Sequence, residues 1–207
     1  MDVYSKEKHA LNPKITTLIV VDMQNDFCHP DGIFSRQGYN TSYVREVIPA
    51  LQELLETCRS HHVPVIFVRF AFREDLSDAG KRYLEVRGFL RQEGLRDGTW
   101  GAQIIDELKP FPSEYIIKKT RYSAFYNTDL EVLLQGLGST TLLITGTGAN
   151  GCVDSTIRDA FYRDYKIILI QECVGTWDKE LREATFKNVK YAFGEIWSKD
   201  HVIFVTE

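Results

Sequence analysis

Three polar segments each follow an apolar, β-branched run, and together they carry the groups that nucleophilic attack on a carbonyl requires. Cys152 stands in Leu142-Leu-Ile-Thr-Gly-Thr-Gly-Ala-Asn-Gly-Cys-Val-Asp-Ser-Thr156, which reads as a strand, a glycine-rich turn and then a helix. A thiol in the first turn of a helix meets unpaired N–H groups and the dipole, both of which favour the reactive thiolate. Asp22, in Val20-Val-Asp-Met-Gln-Asn-Asp-Phe27, sits where a strand leaves the core. Lys118 and Lys119 end the apolar start of Ile116-Ile-Lys-Lys-Thr-Arg-Tyr-Ser-Ala-Phe125. Strand side chains alternate in direction, so at most one of these lysines faces a shared cleft. Taken singly, each residue has a plainer role: a small buried hydrophobe, a turn-capping aspartate, a surface charge.

A thiol nucleophile usually works with a histidine base. Of the five histidines, His61 and His62 end a helix on the far side of the sheet, and His9 and His201 lie near the chain ends. Only His29 is placed to approach Cys152, which keeps a papain-like Cys–His pair open as an alternative; without it, a carboxylate and a lysine must do the proton work. Gly146, Gly148 and Gly151 also spell the bare G-x-G-x-x-G string, with Glu172 near the distance of a ribose-binding acid. That keeps a nucleotide-binding oxidoreductase open as an alternative. Against it, the turn follows the fourth expected strand rather than the first, and it delivers a thiol where a phosphate cradle would need none. Arg73 and Arg121 are candidates to grip a substrate carboxylate bidentately, with surface ion pairing as the plainer role.

The elements that must position these groups alternate along the chain. Strands are expected at Ile15–Val21, Val63–Arg69, Tyr115–Lys118, Thr140–Thr145, Lys166–Gln171 and Val202–Val205. Helices are expected at Val44–Cys58, Gln103–Leu108, Asp129–Leu134, Cys152–Arg163 and Lys179–Phe193, with an irregular charged stretch from Phe70 to Gly98. Repeated β-then-α units predict a mostly parallel sheet covered on both faces, with ligands beyond the carboxyl ends of the strands. The 207 residues fit one domain, 1–207, with no linker or repeat. A net charge of -4 supplies no basic field for nucleic acid. The four cysteines form no CxxC pair and stand at no short spacing with histidines, which argues against a zinc site, and a chain with this much core has no need of a disulfide framework. Met1 to Pro13 is polar and lacks a signal-peptide core, and no apolar run reaches bilayer length, so a soluble cytoplasmic protein is expected.

The three blocks, in this order, resemble the isochorismatase-like cysteine hydrolases, over Ile15 to about Phe193. VVDMQNDF carries Asp22, KTRYSAF carries Lys119 immediately before Thr120, and TGTGANGCVDSTIRDAF carries Cys152. The resemblance implies a six-stranded parallel, Rossmann-like sheet in three α/β/α layers, with Asp22, Lys119 and Cys152 as catalytic residues. It implies an oxyanion hole from the N–H groups of Gly148 and Cys152, and a cis Thr147–Gly148 peptide. Gly148 departs there from an expected alanine. By the same resemblance Phe27, Trp100 and Tyr122 wall the pocket, and the chain assembles as a homodimer or homotetramer, the 70–98 stretch being a candidate contact. Relatives acting on nicotinamide carry Asp-x-His after the second strand; here Arg69-Phe-Ala-Phe-Arg73 stands instead, so no metal and no other cofactor is expected. Retention of Cys152 favours a C–N bond of a small amide, carbamoyl or ureido compound, cleaved through a thioester. Gly98-Thr-Trp100 and Lys119–Thr128 look most like ureidoacrylate and biuret hydrolases. An isochorismate-type vinyl ether hydrolase is the alternative.

Overall fold

The computed structural model describes residues 10–205. His9 and most of the polar Met1–Pro13 segment lie outside the described residues.

The apolar runs form β1 (Thr16–Val21), β2 (Val65–Phe70), β3 (Tyr115–Lys119), β4 (Thr141–Thr147), β5 (Lys166–Gly175) and β6 (Glu195–Trp197). All pair in parallel, in the order β3-β2-β1-β4-β5-β6. Every residue of β1 and β4 is buried, which is why both read as continuous rather than alternating apolar runs. Between them run α1 (Asn25–Cys28), α2 (Ile33–Arg36), α3 (Ser42–Arg45), α4 (Ile48–Ser60), α5 (Lys81–Val86), α6 (Leu130–Gly136), α7 (Asp154–Phe161) and α8 (Lys179–Ala192). The helices flank the sheet and give the three-layer α/β/α architecture.

The chain steps outward from β1 to β3, returns to β4 beside β1, and steps outward again to β6. The order therefore reverses between β1 and β4, the place where an open parallel sheet leaves a crevice beyond its carboxyl edge. Asp22 follows β1 and Gly148 follows β4, so the polar ends of both strands open into that crevice.

Several boundaries differ from the sequence expectation. The sixth strand is Glu195–Trp197, not Val202–Val205; Phe204 bridges Leu11 instead. Gly194 explains this, because a side chain there would meet Ile167 O at 2.7 Å, and its absence lets the chain turn straight from α8 onto β5. The helix expected over 44–58 divides at Val47, with Pro49 in the first turn of α4, where its missing N–H costs nothing. Gln103–Leu108 is not one helix; 3₁₀ turns occupy Trp100–Ala102 and Asp106–Leu108. Among the described residues, no helix is long and apolar enough to cross a membrane.

At the end of the central pair of strands, β4 runs against β1 where no side chain would fit. Gly146, at φ 112°, lies opposite Val21, and a Cβ there would come within 2.0 Å of Val21 O. Gly146→Ala is therefore expected to destabilise the fold by about 2–4 kcal/mol. Gly136→Ala, at the open end of α6, meets nothing within 4 Å and should be neutral or slightly stabilising. Urea denaturation of the two variants checks the contrast; equal midpoints would remove the argument.

Candidate active site

Asp22 leaves β1 with its N–H donated to Val68 O at 2.8 Å, and its own carbonyl accepts from Gln24 N at 2.8 Å. This tight turn holds Asp22 at φ 54°, a left-handed conformation that costs a non-glycine residue about 1–3 kcal/mol. The residues after it secure the turn. The Gln24 amide accepts from Phe70 N (2.6 Å) and donates to Phe70 O (2.8 Å) and Ala102 O (3.0 Å), tying the end of β1 to the end of β2. The Asp26 carboxylate accepts from Ile33 N (3.2 Å) and Leu95 N (2.6 Å). Gly101 lies against it, since a Cβ there would come within 2.3 Å of that carboxylate. Gln24 and Asp26 are thus fastenings for the aspartate between them in the sequence block.

Lys119 ends β3 beside Phe70, and its ammonium reaches across to β1. Nζ lies 2.7 Å from Asp22 Oδ2, donates to Cys152 Sγ at 3.2 Å, and donates to Arg121 O at 3.1 Å. An ammonium has three protons, and three acceptors surround it. The Phe70 ring centre lies 4.1 Å from Nζ, closing the side away from these acceptors. Lys118 points the other way and pairs with Asp97 at 3.1 Å on the surface.

Both members of the ion pair are essentially excluded from water, at 0% and 1% side-chain exposure for Lys119 and Asp22. Neither carboxylate oxygen of Asp22 receives a well-directed hydrogen bond, so the ammonium charge is its main compensation. Burial pushes the Asp22 carboxyl above its ordinary range, and Lys119 and the Cys152 thiol pull it back only in part. Burial, followed by the Asp22 charge, pushes the Cys152 thiol up as well, against Lys119. The expectation that a helix start would favour the thiolate is therefore corrected. Cys152 lies in a π-helical turn, Ala149–Val153, ahead of α7, and water exclusion plus a neighbouring anion outweigh the helix dipole. Burial and the neighbouring charge both favour the protonated sulfur, which stands beside a carboxylate able to receive its proton.

The turn that carries Cys152 is closed by Gly148 O, which accepts from Gly151 N (2.8 Å) and Val153 N (3.1 Å). No peptide among the described residues is cis, so the expected cis Thr147–Gly148 bond is not found. The chain reverses through positive φ at Gly146 and Gly148 instead. A Cβ on Gly148 would sit 3.5 Å from Cys152 N and 3.8 Å from Sγ, so glycine keeps the space beside the sulfur open. Thr156 joins this turn to the lysine segment: its hydroxyl donates to Cys152 O (2.7 Å) and accepts from Ala124 N (3.0 Å).

Cys152, Gly148 and Gly151 line a cavity of ≈ 460 Å³, walled on other sides by Phe27, Phe34, Tyr39, Tyr83, Tyr122 and Trp177. Trp177 stacks on Phe34 at 4.7 Å and donates its indole N–H to Phe27 O at 3.1 Å. Tyr83 stacks on Phe70 at 5.0 Å and meets Tyr122 edge-on at 5.2 Å. Two of the three aromatics expected from the sequence, Phe27 and Tyr122, lie on this cavity. Trp100 does not: it is 47% exposed, stands on a separate surface cavity with Asp26 and Arg96, and meets the His29 ring edge-on at 5.1 Å. A 3₁₀ turn and the Asn25 bond to Trp100 O (2.8 Å) hold its backbone with the ring outside. His29 is engaged with Trp100 and with Asp31 at 3.7 Å, not with Cys152. Arg121 donates to Asp78 O and Thr120 O, and Arg73 lies at the surface 3.5 Å from Asp75, so neither faces the cavity. Arg87 does face it, and with Tyr39, Tyr83 and Trp177 it had no motif or period to mark it. Glu172, the acid of the glycine-string alternative, accepts from Lys199 N at 2.9 Å. Among the described residues, no His, Cys, Asp and Glu side chains group as a metal site would require.

The isochorismatase domain profile matches residues 16–201 of the chain. The chain is 30% identical over 201 residues to the ureidoacrylate amidohydrolase of Agrobacterium fabrum, covering 91% of this chain and 88% of that protein. It is 32% identical over 211 residues to the ureidoacrylate amidohydrolase of Methylobacterium radiotolerans, covering 96% and 81%. Among solved structures, a cysteine hydrolase from Pseudomonas syringae pv. phaseolicola superposes with a TM-score of 0.86 at 30% identity, covering 93% of this chain and 92% of that one. The N-carbamoylsarcosine amidase of Thermoplasma acidophilum gives 0.73 at 28% identity, covering 89% and 96%. With its parallel sheet, its crevice at the strand-order reversal and a domain match spanning nearly its whole length, the chain belongs to the isochorismatase family.

Proposed function

We propose that the protein hydrolyses a C–N bond in a small amide, carbamoyl or ureido compound, with Cys152 as nucleophile, Asp22 as proton carrier and Lys119 as electrostatic anchor. One observation carries this reading: a single ammonium holds a carboxylate at 2.7 Å and a thiol at 3.2 Å, with the sulfur on the wall of a cavity. The ureidoacrylate amidohydrolases and the N-carbamoylsarcosine amidase among its relatives support the substrate class.

In this mechanism the thiol proton passes to Asp22 as sulfur attacks the carbonyl carbon. Lys119 offsets the negative charge whether it rests on oxygen or on sulfur. The N–H groups of Gly148 and Cys152 hold the tetrahedral oxyanion, a role that in acyl transfer is worth about 10²–10³ in rate per donor. Collapse breaks the C–N bond, and Asp22 returns its proton to the departing nitrogen. Water, giving a proton to Asp22, then attacks the thioester; the sulfur leaves and regains that proton. No cofactor enters these steps. Phe27 and Tyr122 pack against the bound molecule. We further take the working form to be a cytoplasmic homodimer or homotetramer, without a nucleic-acid or membrane partner.

Ammonia release from a panel of ureido acids, amides and biuret should fall by about 10⁴-fold or more in Cys152→Ala. If the panel is inert while isochorismate is consumed by both proteins, the C–N reading fails and vinyl ether cleavage replaces it. Lys119→Met should lose activity and, by leaving Asp22 buried and unpaired, about 3–5 kcal/mol of stability by urea denaturation. An unchanged midpoint would show that the ion pair is not what holds the carboxylate.

The pH profile follows from the direction of the Asp22 shift. Asp22 must be ionised to accept the thiol proton, and burial raises its pKa, so activity rises with pH through a value above the ordinary carboxylate figure of about 3.9. The acid limb of kcat/KM should therefore lie above that figure; a limb at or below it would mean that another group governs proton transfer.

A further inference from the structure

Arg87 is the charged residue that the mechanism leaves unused. It caps the C-terminus of α5, and its N–H donates to Tyr83 O at 2.8 Å, which places Arg87 and Tyr83 one turn apart on the same side of the helix. Both line the cavity that holds Cys152. The Arg87 guanidinium lies 5.5 Å from the Tyr39 ring centre, on that same wall. Its charge reaches the cavity interior, where it counteracts the burial that raises the Tyr122 phenol. Tyr122 in turn lies beneath Gly151, the residue before the nucleophile.

The other cationic groups nearby are engaged. Lys119 is held by Asp22, Cys152 and Arg121 O. Arg121 donates to backbone carbonyls, Arg96 likewise, and Arg36 pairs with Glu93. Arg87 forms no ion pair with a carboxylate among the described residues. The acid that shares the cavity, Asp178, accepts from Leu181 N at 3.0 Å as the N-cap of α8. A guanidinium is weakly hydrated and presents a planar fork that matches a carboxylate with two parallel hydrogen bonds. Set among Tyr39, Phe34 and Trp177, such a fork awaits an anion from outside the protein.

We infer that Arg87 is the specificity-determining residue of this cavity, receiving the carboxylate of a short anionic substrate whose carbonyl is presented to Cys152. The inference rests on the hydrolase reading for the word substrate, and on the cavity alone for the binding of the anion. It assigns to Arg87 the role that the sequence offered to Arg73 and Arg121. It also selects within the proposed class: acids with a ureido, carbamoyl or amide carbonyl at one end are favoured over neutral compounds such as biuret.

The test compares N-carbamoyl-β-alanine with its uncharged methyl ester. The wild type should prefer the acid, and Arg87→Met should lower the acid-to-ester ratio of kcat/KM by roughly 10- to 100-fold, mainly through KM for the acid. Arg87→Lys, which keeps the charge and loses the fork, should fall between them. A ratio unchanged in both variants would overturn the inference. Succinate, which cannot be hydrolysed, supplies a readout independent of turnover: it should slow alkylation of Cys152 by iodoacetamide in the wild type and not in Arg87→Met. Arg87-dependent protection in a protein that hydrolyses none of the panel would sustain the carboxylate site and sink the hydrolase reading. Turnover with neither an altered ratio nor Arg87-dependent protection would do the reverse.

Discussion

A charge pair sealed from water beneath a thiol is the constraint around which this molecule is arranged. Removing a carboxylate and an ammonium from water carries a cost of several kcal/mol for each ion, which their mutual attraction offsets only with good geometry. Here the geometry comes from three strands at once. Lys119 arrives from β3, Asp22 from β1 and Cys152 from the turn after β4, so no local segment can form the site alone. The surrounding polar residues serve that convergence: Gln24 joins the ends of β1 and β2, and Thr156 joins the thiol turn to the segment after Lys119. An apolar replacement of the pair would relieve the burial cost and forfeit the proton acceptor. The site keeps its charge at the expense of stability.

The same burial sets the chemistry. Burial and the adjacent carboxylate favour the protonated thiol, which slows its reaction with electrophiles without abolishing it, and the same carboxylate stands where it can take the proton. Cys28, Cys58 and Cys173 are also buried and pushed up by burial, yet none has both a carboxylate to receive a proton and an ammonium to steady the anion within contact. What separates Cys152 from them is this company together with its place on the cavity wall.

The fold was legible in the sequence to the extent that burial on both faces writes itself as unbroken apolar runs, as in β1, β4 and the first part of β5. It was illegible where short elements depend on neighbours. β6 is three residues placed by the absence of a side chain at Gly194, and the 3₁₀ turns around Trp100 and Asp106 follow no period. The residues at the centre of the site could be found because each lies at or just past the end of a strand; alternation let only one of Lys118 and Lys119 face the cleft, and the resemblance of the KTRYSAF block selected Lys119. The cavity wall could not. Tyr83 and Arg87 come from the irregular charged stretch, and Trp177 from a loop after β5; their meeting above Cys152 is a product of tertiary packing that leaves no spacing in the chain. The ring of Trp100 lies away from the cavity because the 3₁₀ turn and the Asn25 bond fix its backbone, an orientation that no spacing in the chain foretells.

The left-handed backbone at Asp22 narrows what that position can become. Among side chains, asparagine and aspartate tolerate this conformation best after glycine, because a short polar arm adds little crowding and bonds locally. Glutamate, equal in charge and one carbon longer, brings a bulkier arm to the strained backbone and an overlong reach to the ammonium. Chemical conservatism and steric conservatism therefore point to different substitutes here, asparagine by shape and glutamate by charge, and aspartate alone meets both demands.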